Sequence, residues 1–292
     1  MQIICSSKSF AFIKKNIKNQ CISSFILSIK NYNLFNEYVY SCDEVFDVVK
    51  YIKKHDKTVI VDVAKLIHED ELQNIREIIV KLESAGVDLF MYSDFGLYQI
   101  LCELGLKHKT MLYSNTYLTN VLDTKIYQEK NKFVVLSNQI NTNELIHISK
   151  NAYSNQIVSA FGVAMIMYTR RPLLTNYFKY RNSDKDSGKT NYYLQEEYRD
   201  SLYPIIENEN STKIYDYGHY YLTTELSELP NNIDIIVSGE LLKDKVYQII
   251  IDKYVNYLKE GTKISFDDVD VILNKGAYSR KLTLLKGGNQ DE

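Results

Sequence analysis

The sequence predicts an α/β fold, a TIM-like (β/α) barrel with an irregular insertion covering one end, and three observations carry that expectation. Short apolar runs recur at residues 2–6, 22–27, 58–63, 89–93, 110–113, 133–136, 156–161 and 233–237, several almost continuously apolar, as strands buried on both faces are. Helical patterns lie between many of them, and such alternation predicts parallel strands joined by crossover helices. An open doubly wound sheet satisfies the same alternation, but the number of strands favours a closed barrel.

Taken in order, residues 44–54 place Val45, Val48, Val49 and Ile52 on one stripe, and residues 69–85 do the same with Leu72, Ile75, Ile78, Ile79 and Leu82. The run at 156–161 is expected to break at Gly162, where an interior glycine marks a bulge or a close backbone approach. A second apolar stretch follows and delivers Arg170 and Arg171 into a Leu-Leu-Thr-Asn-Tyr turn. Residues 180–221 leave the rhythm; polar, charged and Tyr-rich, with short β-like pieces such as 213–217, they read as an insertion packed over one end. Residues 244–259, with Val246, Ile249, Ile250, Tyr254 and Leu258 on one stripe, predict a long covering helix, and 287–292 a frayed tail.

A chain of 292 residues can bury a sizeable core, and a barrel of this length is expected to be one domain, residues 1–292. Hydrophobic content of 45% with 25% charged residues excludes the disordered and fibrous classes. Cys5, Cys21, Cys42 and Cys102 are scattered without a C-x-x-C pair, which argues against a zinc site, a redox motif or a disulfide framework and fits a reducing cytoplasm. No secretory leader and no membrane span are expected, and no membrane partner. A net charge of -2 gives no global basic field, so any nucleic-acid contact must be local.

Two blocks resemble a known family. Residues 156–180 (Gln-Ile-Val-Ser-Ala-Phe-Gly-Val-Ala-Met-Ile-Met-Tyr-Thr-Arg-Arg-Pro-Leu-Leu-Thr-Asn-Tyr-Phe-Lys-Tyr) resemble the signature of the U32 family, historically called collagenase-like peptidases, and most closely its short bacterial members. The progression Gly86-Val-Asp, Ser93-Asp-Phe-Gly, Thr110-Met-Leu-Tyr-Ser-Asn and Leu118-Thr-Asn is similar to the family's order, as are later segments at 195–204, 210–212 and 232–237. The resemblance covers nearly the whole chain. It implies a TIM-like barrel and, by analogy with relatives in tRNA modification, a part in 5-hydroxylation of the wobble uridine with prephenate as co-substrate. A peptidase and a non-catalytic barrel scaffolding a longer U32 paralogue are the alternatives, with tRNA and that paralogue as expected partners.

Strand carboxyl ends form the reactive face of a parallel barrel. That rule selects Asp94, Ser114, Asn115, Arg170 and Arg171, with Ser93, Ser137, Asn138, Gln139, Gly162 and Thr169; joined by residues of the segment that follows, the candidate catalytic set is Asp94, Ser114, Arg171 and Glu197, and the candidate substrate contacts are Arg170, Asn115, Asn176, Tyr177, Lys179 and Arg181. Guanidinium groups match carboxylate and phosphate bidentately. From Tyr168 to Tyr193, cations including Lys185 and Lys189 interleave with tyrosines, a composition suited to single-stranded RNA, although Asp184 and Asp186 dilute it. The structural alternatives are that Asp94 and Ser114 cap helices, and that Arg170 or Arg171 forms a surface ion pair with a nearby Glu such as Glu196 or Glu197. His68, beside acids, reads as a capping or surface residue rather than a ligand, and no metal is expected. Some U32 branches bind an iron–sulfur cluster through signature cysteines; Met165 and Pro172 stand at those positions here, so no cluster and no other cofactor are expected. Ser159 stands where relatives often carry an acid, and Asn138-Gln139 where they carry an Arg-Glu pair, which weakens a proton-transfer role there.

Overall fold

The computed structural model describes residues 1–35, 38–114, 116–183, 192–198, 200–208 and 211–279. In chain order the elements are β1 (Ile3–Ser6), α1 (Phe10–Asn16), β2 (Ile22–Ile29), β3 (Val39–Tyr40), α2 (Cys42–Lys53), β4 (Thr58–Asp62), α3 (Leu72–Ser84), β5 (Leu89–Tyr92), α4 (Phe95–Glu103) and β6 (Thr110–Tyr113). The chain continues through α5 (Val121–Lys130), β7 (Phe133–Val135), α6 (Thr142–Asn151), β8 (Gln156–Thr169), α7 (Leu173–Tyr180), β9 (Tyr192–Gln195), β10 (Leu202–Asn208), β11 (Ser211–Tyr221), β12 (Asp234–Val237) and α8 (Asp244–Glu260). Neighbours run β12-β1-β2-β4-β5-β6-β7-β8, and β8 pairs back onto β12 in parallel, so the sheet closes into an eight-stranded barrel. Every strand foreseen from the apolar runs is present.

Closure follows from apolar residues on both faces of these strands. One set, Ile4, Ile26, Ile60, Met91, Met111, Val135, Ile157 and Ile236, forms a cluster inside the ring. The other set, including Ile3, Phe25, Val59, Val61, Phe90 and Leu112, packs outward against the helices. α2 turns Val45, Val48, Val49 and Ile52 to that layer and begins with a capping box between Ser41 and Glu44. α3 does the same with Ile75, Ile78, Ile79 and Leu82.

Three expectations are corrected. α8 buries Tyr247, Ile250, Ile251, Tyr254 and Val255, whereas Ile249 is exposed, so its inner stripe is rotated from the one foreseen. Tyrosines set that rotation: the Tyr247 hydroxyl lies 2.8 Å from the Val237 carbonyl and that of Tyr254 2.9 Å from the Ala160 carbonyl, so each ring is buried with its polar tip satisfied. Gly162 does not break its strand. β8 runs through it for 14 residues, and the Gly is required because an added Cβ would meet the Tyr220 hydroxyl at 2.8 Å. The third correction is the insertion. Beyond the barrel, β8 pairs antiparallel with β11, which pairs with β10 and then β9, giving a β arm rather than an irregular cover. α7 lies on one face of this arm, where Leu174 and Phe178 pack with Ile205 and Ile214. The tail at 287–292, and Asp184, Lys185, Asp186 and Lys189, lie outside the described residues. No described helix is long and apolar enough to cross a membrane.

Candidate functional site at the barrel mouth

Side chains alternate along a strand, so the residue two beyond each inner apolar position continues the inner row. Applied to the eight staves, that step gives Ser6, Ser28, Asp62, Ser93, Tyr113, Ser137, Ser159 and Ser238. The lumen is therefore apolar below and ringed with hydroxyls and one carboxylate at the carboxyl-terminal mouth.

Asp62 is fully buried and accepts from the Ser28 hydroxyl at 2.7 Å and from the backbone amides of Leu34, Phe35 and Ala64 at 3.2, 2.8 and 3.1 Å. Burial pushes its carboxyl pKa up, against these donors. The carboxylate thereby holds the loop after β2 across the mouth. From the arm, Lys213 reaches the same loop and donates to the Leu34 carbonyl at 2.8 Å. Beneath it a narrow cavity is lined by Leu34, Phe35, Tyr113, Met165, Tyr215, Tyr220 and Glu240; the volume open to a water molecule's centre is about 10 Å³, roughly the room for one water. Tyr215 donates to Glu240 at 2.6 Å, and His219 Nε2 lies 3.0 Å from the Glu240 carbonyl oxygen. Burial lowers the His219 pKa, against its backbone contacts.

Beside the loop sits a three-membered ion cluster. Arg170, just past the end of β8, engages Glu71 through both terminal nitrogens, and Lys65 reaches the same carboxylate at 2.6 Å. The His68 amide donates to it at 2.8 Å. Burial raises the Glu71 pKa, but the hydrogen bonds from Arg170, Lys65 and His68 outweigh it and hold the carboxyl at about 2. Arg170 also donates to the Leu66 carbonyl at 3.1 Å, while Asp94 accepts from the next amide, Ile67, at 3.2 Å. The two side chains grip opposite ends of one peptide group, which places Arg170 and Asp94 on the same rim.

The remaining sequence candidates fall elsewhere. Asp94 also caps α4, accepting from Gly96 and Leu97 at 2.7 and 3.1 Å, the structural alternative foreseen for it. Ser114 accepts from Thr116 and Tyr117 at 3.4 and 3.3 Å in a loop; the helix that follows is capped by Asn120 instead. Arg171 is exposed, and so is Glu197, in the turn after β9. Arg170 takes Glu71 as its ionic partner rather than Glu196 or Glu197. The foreseen Leu-Leu-Thr-Asn-Tyr turn is the start of α7, because Glu207 accepts from the Leu174 and Thr175 amides at 2.7 and 3.1 Å and so satisfies the helix's first donors. Asn176, Tyr177 and Lys179 lie on the exposed side of α7, and Arg181, also exposed, ends it. That helix covers the face of the arm carrying Ile214 and Met167, opposite to the face of Lys213 and Tyr168. Asn115 lies outside the described residues. Sequence reasoning missed Asp62, Lys65, Glu71, Lys213 and Glu240. Asp62 had a signal in its period-two step from Ile60; the others owe their burial to tertiary packing.

Among the described residues one group, His68, Asp70 and Glu71, brings three donor atoms within 4.8 Å of one another. Glu71 is already neutralised by two cations, which disfavours a divalent ion there. The four cysteines sit on β1, before β2, at the head of α2 and within α4, and none of them joins that group.

Comparison with known proteins fits this architecture. "tRNA hydroxylation protein P2" of Bacillus subtilis (strain 168) is 24% identical over 265 residues, covering 89% of this chain and 83% of that protein. "Uncharacterized protease MJ0090" of Methanocaldococcus jannaschii is 24% identical over 257 residues, covering 84% of this chain; the chain spans 58% of that relative's length. The solved U32 peptidase Mk0906 superposes with a TM-score of 0.51 at 11% identity, covering 82% of this chain and 93% of that one, a likeness of fold alone. The sequence pattern that defines peptidase family U32 matches residues 19–259, and the chain belongs to that family.

Proposed function

We propose that this chain is a cytoplasmic component of tRNA modification, acting in 5-hydroxylation of the wobble uridine in a prephenate-linked pathway. The observation that carries the reading is the match to a tRNA hydroxylation protein along 89% of this chain and 83% of that one, which leaves little room for a different arrangement of domains. The exposed side of α7 supports it, because Arg171, Tyr177, Lys179 and Arg181 combine cations for phosphates with a ring for an unstacked base. Among the described residues no serine or cysteine side chain is hydrogen-bonded to a histidine, so the peptidase alternative has no nucleophile–base pair in support.

A second reading, a non-catalytic barrel that scaffolds a longer U32 paralogue, is favoured by one observation. Asn138 and Ser159, where relatives often carry charged groups, are buried beside the Tyr220 hydroxyl and lower its pKa against the larger, raising effect of burial, so they sit in the packed interior. Mass spectrometry of nucleosides from total tRNA tests the main reading: a strain lacking this chain should lose 5-hydroxyuridine derivatives, and an Arg171→Ala copy should restore them less well than the wild type. Unchanged nucleosides in the deletion strain refute it. Co-purification then decides whether a paralogue completes the working unit.

A further inference from the structure

A second cavity, of about 610 Å³ measured to a water molecule's centre, lies between the β arm and the segments that follow β12 and α8. Ligand pockets commonly span about 300–1,000 Å³ and are mostly apolar, with a few convergent polar groups. This one has that composition. β9 and β10 contribute Tyr193, Leu202 and Pro204, while β11 and the segment after α8 contribute Asp216, His219 and Asp270. Tyr193 and Leu202 are exposed, although both are large and apolar.

His219 is the built feature of this wall, at 7% exposure. Its Nε2 lies 3.0 Å from the Glu240 carbonyl oxygen, which can only accept, so in the neutral ring Nε2 carries the proton and Nδ1 presents a lone pair. Burial lowers the ring's pKa and so keeps it neutral at pH 7. Nδ1 is enclosed and no group meets hydrogen-bond geometry with it, although the Ile272 carbonyl is near enough to bias the titration. Nearly all buried polar atoms in native proteins are satisfied. A bare acceptor is complementary to a donor, and the two carboxylates in the same wall are complementary to a positively charged one. Asn274 fixes the Asp216 carboxylate at 3.1 Å, whereas Asp270 is exposed and, among the described residues, is paired with no cation. Lys243 is the one cation among the described lining residues, and it too is exposed.

We infer that this cavity binds a small amphipathic organic cation, an amine whose apolar body lies on Tyr193, Leu202 and Pro204 and whose ammonium faces Asp216 and Asp270 and donates to His219 Nδ1. An ammonium has three donors and no acceptor, which suits a wall of acceptors. An anion would meet two carboxylates and a lone pair there, and the phosphates of an RNA would be repelled in the same way. Nδ1 is closed off from solvent, so the amine meets it once the wall yields; Ile272, part of that wall and 67% exposed, has room to turn. No described residue of α7 lines the cavity, so the inference goes beyond the tRNA reading and does not depend on it.

The purified full-length chain, titrated by calorimetry and amide NMR with phenethylamine, 2-phenylethanol and phenylacetate, tests the site. The three probes share one ring and differ in carrying an ammonium, a hydroxyl or a carboxylate. Phenethylamine should saturate with a Kd of about 1 mM or tighter, the alcohol should bind more weakly, and phenylacetate should not saturate. Amide signals should move on β9, β10, β11 and residues 270–272. His219→Gln keeps a donor for the Glu240 carbonyl and removes the Nδ1 acceptor, so it should weaken binding about fivefold. Asp270→Asn, at an exposed position, should weaken it about two- to fivefold and decides the matter if His219→Gln does not fold. The assignment is overturned if phenethylamine fails to saturate by about 10 mM, if phenylacetate binds as tightly, if the moving amides lie away from the arm, or if either folded variant keeps wild-type affinity.

Discussion

Replacing Glu71 by Gln keeps the shape of the side chain and deletes the charge that joins Lys65 to Arg170. A carboxyl held at about 2, against an ordinary 4.5, corresponds to about 3 kcal/mol of stability at neutral pH, at 1.36 kcal/mol per pH unit. The side chain keeps 19% of its exposure, and solvent screening brings the expected value to about 2 kcal/mol. The sign follows from the depressed pKa: the contribution is complete above about pH 4.5 and is lost as the pH falls toward 2. Gln mimics the protonated carboxyl, so the gap between wild type and variant should close over the same window. Urea denaturation of both proteins at pH 7, 4.5 and 3 measures it; urea is preferred because guanidinium would itself screen the pair. A gap that stays constant with pH, or one below about 0.5 kcal/mol at pH 7, refutes the assignment of Glu71 as the hub of the mouth.

Gly162→Ala should cost about 1–3 kcal/mol, since its methyl would meet the Tyr220 hydroxyl at 2.8 Å and the ring carbon bearing it at 3.1 Å. Adding Tyr220→Phe should recover part of that loss, so a double-mutant cycle by chemical denaturation should be non-additive, and additive costs would contradict the contact. Glu207→Ala should lower stability by about 1–2 kcal/mol through lost capping of α7. Hydrogen exchange should then quicken in α7 while barrel amides stay protected; uniform quickening would mean that Glu207 supports more than the helix end.

The barrel was legible because its evidence is local. Strands buried on both faces announce themselves as apolar runs, and amphipathic helices as 3.6-residue stripes, whatever the rest of the chain does. The arm was not legible, because its residues carry the opposite signal. Glu207, Thr212 and Lys213 are polar in the sequence and buried in the structure, so patterning picks out only a short β-like piece, 213–217, of what is the 11-residue strand β11. Asp94 could be read from sequence in either of two roles; the structure shows it capping α4 with one carboxylate oxygen and holding the Ile67 amide with the other, a contact between distant segments that no local pattern encodes. Arg170 does stand where an apolar strand delivers it, just past the end of β8. Its partner lies 99 residues earlier in the chain, a separation that no local pattern encodes.

Arg170 and Lys213 show why burial alone does not identify a binding cation. Both stand at the junction of β8 and β11, but Arg170 meets Glu71 with two terminal nitrogens, and displacing that carboxylate would leave two buried cations, Arg170 and Lys65, uncompensated. An anion arriving at the mouth gains little by competing for it. Lys213 offers the reverse case. Its acceptor is a neutral carbonyl, and no carboxylate among the described residues lies within ion-pair distance to offset the burial of the charge. The same carbonyl belongs to Leu34, whose amide Asp62 accepts, so Lys213 and Asp62 together fix the loop that narrows the cavity.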